Sequence, residues 1–361
     1  MRLRVGIHGF GVVGRGVARA LALTRWPFKP EVHFVLDSRG GVFDPHGLDL
    51  EKTRVAKESV GLERGPGQYK RTDCVQALRA NEIDVLVECT PTDLDDGGAG
   101  MRAVREALSR GVSVITANKG PLALAYPELV AAANKQRTHL LFSATVGGAV
   151  PVIETARDAL RACDVTKIEG ILNGCTNFIL SRMEETSRPY FDILDEAKQM
   201  GIAETDPRFD VEGWDTASKL VILSNVVFRR HINVKEIPRR GIEKVTPDDV
   251  AHANSRGKRV KLVGLLSRDR AEVAPRLIDI DSLLDVGGTR NIAVYSTDLA
   301  GEIAISGRGA GQMETASAIM SDFLALYDRL TEEESMKKRY GGGGNQVVKK
   351  TRPARSAKGS R

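Results

Sequence analysis

Apolar positions along residues 3–23, LRVGIHGFGVVGRGVARALAL, change their spacing partway through. The first few read as a short buried strand. From Val13 the apolar side chains recur at Val17, Ala20 and Leu21, the spacing of a helix with one core-facing side. A glycine-rich turn joins the two. Alternation then repeats with a strand EVHFVLDS ending in Asp37, a strand IDVLVECT (83–90) and a helix near 98–110. A strand VSVITANKG (112–120), a helix (121–135) and a strand THLLFSATVGG (138–148) follow. Strand–helix alternation of this kind predicts an α/β domain with a doubly wound parallel sheet over residues 1–150.

After Pro151 the rhythm differs. An amphipathic helix (151–161) leads to a strand VTKIEGILNG, helices near 176–186, 190–200 and 212–227, and a strand KRVKLVGLLSR (258–268). VAPRLIDI, NIAVYSTD and GEIAISG then alternate as strands. This predicts a second, α+β domain over 151–309, its mixed sheet able to pair with a second copy. A helix within 310–335 is expected to pack back on the first domain, leaving a tail over 336–361.

One stretch defies the usual pattern. AETDPRFDVEGWDTASKLVIL (203–223) carries six charged groups before Lys219 and then turns wholly apolar. Asp215 and Lys219 are four apart and share a helical face, which continues as Ile222 and Leu223. A solvated salt-bridged helix keeps its polar stripe, whereas a site at the edge of a core loses it.

Charge changes little. The net charge of +6 equals the six basic residues of GGGGNQVVKKTRPARSAKGSR (341–361), so residues 1–340 are balanced. A Gly-led, aromatic-poor terminus packs no core, and it is read as solubilising rather than as a nucleic-acid arm. Four cysteines without CxxC spacing fit a reducing compartment. No apolar run approaches the roughly 20 residues that span a bilayer. With a strand beginning at Arg2, no room for a signal peptide is expected. The expectation is a cytoplasmic protein with neither membrane nor nucleic acid as partner.

Chemistry enters at the first turn. Gly9, Gly11 and Gly14 form G-x-G-x-x-G at a strand-to-helix junction, the dinucleotide-binding (Rossmann) context. The first glycine permits the tight turn, the second lets backbone approach a pyrophosphate, and the third lets helix pack on strand. The turn Gly9-Phe10-Gly11-Val12-Val13-Gly14 would offer helix N-terminal N–H groups to phosphates. Asp37 stands where an acid meets ribose hydroxyls and favours NAD. Arg39 and Lys57 offer positive charge for a 2′-phosphate and favour NADP. Thr90 and Lys119 end strands, where open α/β sheets place ligands.

GFGVVGRGV, VITANKGPLA, SATVGGAVPVI, GILNGCTNFIL, EAKQMGIAETDPRFDVEGWDTASKL and GRGAGQMETASAIMSD fall in order across residues 5 to about 330. On these the chain resembles homoserine dehydrogenase, which interconverts L-homoserine and L-aspartate 4-semialdehyde. The resemblance implies that Lys119 contacts substrate or cofactor at the reacting centre and that Lys219 is the proton donor. It places Gly201, Glu204, Asp210, Asp215 and Thr176 at the substrate, with Asp215 on its ammonium, and Gly309 and Gly311 in a second loop returning to the coenzyme. It implies a monovalent cation, Na⁺ or K⁺, on backbone carbonyls of Val146, Gly148 and Val150, and a homodimer. Ser143 stands where the family usually has Glu, which predicts a weaker cation site. Gly174-Cys175-Thr176-Asn177 departs from the usual GTTN. The resemblance ends near residue 335, so no C-terminal regulatory domain is expected.

Two other readings compete. Cys175-Thr176-Asn177 is similar to the cysteine loop of phosphorylating aldehyde dehydrogenases, which form a thioester on an activated thiolate. A non-catalytic NADP-binding sensor needs no proton-transfer group, so Lys119, Glu204, Asp215 and Lys219 together argue against it.

Overall fold

The computed structural model describes residues 1–340; the basic segment 341–361, read above as a solubilising tail, lies outside the described residues. The first sheet contains β1 (Arg2–His8), β2 (Lys29–Asp37), β3 (Gly40–Phe43), β4 (Gln68–Lys70), β5 (Val85–Glu88), β6 (Ser113–Thr116) and β7 (Leu140–Leu141). Their order is β4-β3-β2-β1-β5-β6-β7. Strands β2, β1, β5, β6 and β7 run parallel, and every residue of β5 and β6 is buried, as a sheet covered on both faces demands. The chain leaves β1 toward β2 and later returns on its other side at β5. That switch point opens a crevice at the carboxyl ends of both strands.

Three features depart from the sequence reading. β3 and β4 add an antiparallel edge that the apolar pattern does not predict, because the glycines of GGVF hide the strand signal. The strand expected over 138–148 shrinks to Leu140–Leu141, since the chain enters a tight turn over Ser143–Thr145. There the Ser143 N–H donates to the carboxylate of Asp322 at 3.0 Å instead of to a neighbouring strand. The helix expected over 151–161 is one turn, Val152–Glu154, widening into a π-type turn over Thr155–Ala159.

The second sheet holds β8 (Val165–Ile171), β9 (Lys258–Ser267), β10 (Ala271–Asp279), β11 (Arg290–Thr297) and β12 (Glu302–Arg308), in the order β10-β9-β8-β11-β12. Every pairing is antiparallel, not mixed: two hairpins flank β8, which runs against both. Between β8 and β9 the chain forms the helices Gly174–Thr186, Tyr190–Gln199, Trp214–Val227 and Pro247–Ser255. Residues Asp215 to Asn225 of the third are buried without interruption. It packs on the helix Lys119–Gln136 of the first sheet and on β9, so its charged start lies between the two sheets.

A last helix, Gln312–Tyr340, begins against the first turn of the chain: Gln312 Nε2 donates to the Val12 carbonyl at 3.0 Å. Gly16 makes that approach feasible, since a Cβ there would stand 2.5 Å from the Gln312 carbonyl oxygen. Residues 336–340, assigned above to the tail, continue this helix.

Asp322 on this helix, Glu154 and Ser143 form a buried knot. The Ser143 hydroxyl contacts Asp322 Oδ1 at 2.5 Å and also the Glu154 carboxylate. A hydroxyl has one proton and donates once, so the second contact needs a proton on a carboxyl group. Burial pushes Asp322 up to about 7, against the opposing pull of its bonds from Ser143 and with the nearby Glu154 charge adding to the rise. Two carboxyl groups, Glu154 and Asp322, thus stand beside Ser143.

The sign of the resulting pH dependence follows. Asp322 holds its proton more tightly folded than unfolded, so its stabilising share is complete below the ordinary aspartate value and is lost as pH rises to about 7. Thermal unfolding should show Tm declining from about pH 4 to about pH 7, and Asp322→Asn, which keeps the neutral shape, should flatten the decline. An identical slope in the variant would assign the proton elsewhere.

Candidate active site

The dinucleotide turn meets the crevice between β1 and β5. Gly9 has φ of 95°, and a Cβ there would lie 2.5 Å from the Cys89 carbonyl carbon, so only glycine fits the turn. At Gly11 an added Cβ meets nothing within 4 Å: the space above the turn is open. Gly11 caps the helix Val12–Leu23 without a side-chain bond, which leaves its first N–H groups facing that space. Val12 is exposed, whereas Phe10 is fully buried and offers a ligand its backbone alone.

Beyond the turn lies a cavity of about 520 Å³ whose lining includes Asp37, Arg39, Arg71 and Arg102. Asp37 accepts the Arg39 N–H at 2.8 Å and pairs with Lys57 Nζ at 2.5 Å. Lys57 is therefore committed to Asp37, and Arg39, Arg71 and Arg102 are the cations lining the cavity. Arg71 has no sequence signal of its own: it follows the three-residue edge strand β4, which only pairing with β3 reveals.

At the inner end Glu88 organises both strand termini, a role its place at the end of an apolar strand hinted at. Its fully buried carboxylate accepts the Thr90 N–H at 2.8 Å, the Thr116 hydroxyl at 2.8 Å and the Thr90 hydroxyl. Burial raises its pKa, and these bonds offset only part of the rise. Asn118 Nδ2 donates to Thr90 Oγ1 at 3.1 Å, while Asn118 Oδ1 caps the helix Lys119–Gln136 at Gly120 N, 2.9 Å away. Lys119 is thus the first residue of that helix, set just past the end of β6 by the cap.

Lys119 and Lys219 meet on one carboxylate. Lys219 Nζ lies 2.7 Å from Asp215 Oδ2 and donates to the Leu172 carbonyl at 2.5 Å; Lys119 Nζ lies 3.4 Å from Asp215 Oδ1. Burial alone would raise the Asp215 pKa, but the two ammonium groups outweigh it and hold the carboxylate ionised, well below its usual range. Asn173, the cap of the helix Gly174–Thr186, bridges outward. Its Nδ2 donates to Asp215 Oδ2 at 2.9 Å and to Asp210 Oδ1 at 2.7 Å, and its Oδ1 accepts the Thr176 N–H at 2.9 Å. Burial, and then the Asp215 charge, raise the Asp210 pKa. An Asn three residues before Thr176 is a capping signal that sequence reasoning passed over.

Other expected residues lie around this cluster. Glu204 is exposed and close enough to Cys175 for its charge to be felt there. Gly201, with φ of 69°, turns the chain after the helix Tyr190–Gln199 toward Glu204. Gly309 and Gly311 precede Gln312, which reaches Val12, so their loop does return to the dinucleotide turn. The buried turn through Val146 and Gly148 abuts that loop, since a Cβ on Gly148 would stand 2.5 Å from the Gly309 carbonyl oxygen. The Val150 carbonyl already accepts the Val152 N–H at 2.7 Å. Cys175 is buried in the first turn of its helix, where burial pushes the thiol up to about 12.

An open phosphate-sized turn leading to two ammonium groups is what hydride exchange at a carbon bearing oxygen requires, and it places the chain among nicotinamide-dependent oxidoreductases. Residues 9–143 match the family model for the NAD-binding domain of homoserine dehydrogenase, and residues 151–324 that for homoserine dehydrogenase. The chain is 40% identical over 328 residues to the homoserine dehydrogenase of Methanocaldococcus jannaschii, covering 89% of this chain and 98% of that one. It is 32% identical over 345 residues to the NAD(+)-dependent homoserine dehydrogenase of Pseudomonas canavaninivorans, covering 92% and 98%. Among solved structures, one from Archaeoglobus fulgidus aligns with a TM-score of 0.83 at 37% identity, covering 90% and 99% of the two chains. A hyperthermophilic archaeal homoserine dehydrogenase in complex with NADPH aligns with a TM-score of 0.81 at 29% identity, covering 91% and 98%. The chain belongs to the homoserine dehydrogenase family, NAD(P)-dependent oxidoreductases that act on a CH–OH group.

Thioester chemistry needs a thiolate, which the Cys175 environment suppresses. Cys175→Ser should keep near-wild-type turnover, and iodoacetamide near neutral pH should leave activity intact. Rapid inactivation with stoichiometric labelling of Cys175 would reverse this.

Proposed function

We propose that the chain interconverts L-homoserine and L-aspartate 4-semialdehyde in amino-acid biosynthesis, with Lys219 moving the proton and Lys119 steadying the oxygen. The observation that carries this reading is the pair of ammonium groups on the single carboxylate of Asp215. Reducing the aldehyde leaves an alkoxide-like oxygen that must be protonated, and an ammonium beside it supplies charge and proton together. Lys219, buried and held at two points by Asp215 and the Leu172 carbonyl, has a third N–H for that oxygen. Lys119 is less enclosed, its side chain 18% exposed, and approaches from the coenzyme side.

Both Asp215 oxygens serve lysines, so the substrate ammonium falls chiefly to Glu204 and Asp210, with Asp215 beneath them. This shifts the role first expected of Asp215. The substrate carboxylate meets the start of the helix Gly174–Thr186 near Thr176, where a helix N-terminus favours an anion.

The nicotinamide coenzyme, when bound, takes up or gives the hydride. The residues present fit it: the Gly11 turn that a Cβ would partly fill, Thr90 at the inner end and the Asp37 cavity at the outer end. Arg39 and Arg71 favour NADP over NAD. Carbonyls of Val146, Gly148 and Val150, with Glu154 close by, suit Na⁺ or K⁺ as a structural ion beside the Gly309 loop. The enzyme is proposed to act as a cytoplasmic homodimer. Among the described residues, no helix is long and apolar enough to cross a membrane.

Lys219→Ala should lower kcat roughly 10²–10⁴-fold, as for a general acid–base group, with coenzyme affinity near normal. A near-wild-type kcat in that variant, with a collapse in Lys119→Ala, would exchange the two roles. Arg39→Ala and Arg71→Ala should each weaken NADP by about 1–2 kcal/mol while sparing NAD, the range of a charge-assisted hydrogen bond. Equal losses for both coenzymes, read by fluorescence titration, would remove the 2′-phosphate from this cavity.

A further inference from the structure

Asn291 carries an anomaly that the reaction as described leaves unused. It is 2% exposed, and neither its Nδ2 nor its Oδ1 has a hydrogen-bond partner among the described residues. Leaving both ends of a buried amide without partners is costly, so a native chain keeps one where something else uses it.

Its place in the fold suggests the use. Along β11, Asn291, Ala293 and Tyr295 share the face that meets the main core, while Ile292 and Val294 face a separate small cluster. The amide therefore points toward the cleft between the sheets. There it is wedged between two glycines. A Cβ on Gly309 would stand 2.1 Å from the amide carbon, and a Cβ on Gly174 would stand 3.5 Å from its Oδ1. Gly309 opens the loop that returns to the dinucleotide turn. Gly174 begins the helix whose cap, Asn173, holds Asp210 and Asp215. The same strand end is tied to this helix a second time, since Asn177 Nδ2 donates to the Arg290 carbonyl at 3.0 Å.

We propose that Asn291 is a positioning residue that couples coenzyme binding to the substrate site. Coenzyme drawing the Gly309–Gly311 loop inward lets one side of the amide bond the loop backbone and the other bond the N–H groups at the start of the Gly174–Thr186 helix. The amide is closed off from solvent and lies directly against that loop. Its carbonyl and NH₂ match the two kinds of backbone group beside it: acceptors on the loop and unpaired donors at the helix start. Fixing the helix start fixes Asn173, and through it the two carboxylates and Lys219. This inference rests on the coenzyme role proposed for Gly309 and Gly311.

The test is calorimetric titration of L-homoserine into the full chain, alone and with saturating NADPH, which forms a non-reacting complex with the alcohol. Wild type should bind homoserine about tenfold more tightly with NADPH present, within the usual span of coupling between sites. Asn291→Ala should bind NADPH and, separately, homoserine nearly as wild type does, yet lose most of that enhancement. In initial rates the variant should raise KM for homoserine more than it lowers kcat. Asn291→Leu, which removes the polarity while filling the space, should unfold in ligand-free form at a temperature no lower than Asn291→Ala. Full coupling in Asn291→Ala, or no coupling in wild type, overturns the proposal alone. A ligand-free Tm in both variants far below wild type also overturns it, because the amide would then be paired before coenzyme arrives. Failure of wild type to bind homoserine under any condition overturns the functional reading as well.

Discussion

Everything in this molecule converges on the carboxylate of Asp215. It is buried between two sheets, and a lone ionised carboxylate in such a place would be untenable. Lys219, one helical turn on, and Lys119, from the first sheet, make it tenable. The dependence is mutual, for a buried ammonium without its partner is as costly as the carboxylate. Losing one member of such a pair typically costs about 3–5 kcal/mol, so the site and the junction of the sheets stand or fall together. Of the charges that precede the apolar half of the helix Trp214–Val227, Asp215 is thereby explained, since Lys219 and Lys119 both meet it, while Asp206 and Arg208 pair with one another.

Around this centre, short polar side chains set geometry. Glu88 gathers the ends of β5 and β6, Asn118 caps the helix that begins with Lys119, and Asn173 caps the helix that carries Thr176. Each caps a helix or ties a strand end, so each places a reacting group while satisfying backbone donors that would otherwise be left bare. The Ser143–Glu154–Asp322 knot repeats the theme at the crossing between sheets, where burial favours the neutral form of Asp322 and so lessens the charge to be balanced.

Much of this could be read along the chain. Glycine spacing after an apolar strand marked the turn that follows β1, and the loss of a polar stripe after Lys219 marked the buried charge cluster around Asp215. The misses share a cause. β3 was hidden by glycines whose strand character comes only from pairing with β2 and β4. The strand after Thr138 was overextended because Asp322, far along the chain, captures the Ser143 N–H. Lys57 was assigned to coenzyme although Asp37 holds it, and Arg71 was overlooked because only the edge hairpin carries it to the cavity.

The sequence by itself determined the alternation of elements, the glycine turn after the first strand and the candidate residues for the chemistry. These depend on periodicity and on backbone geometry within a few neighbours, and such information is local. Tertiary structure alone decided which oxygen of Asp215 meets which lysine, that the second sheet is antiparallel throughout, and that Asn291 sits between Gly309 and Gly174 with no partner for its amide among the described residues. Those facts depend on contacts between distant segments, whose distances are fixed only when the sheets close on one another and water is excluded.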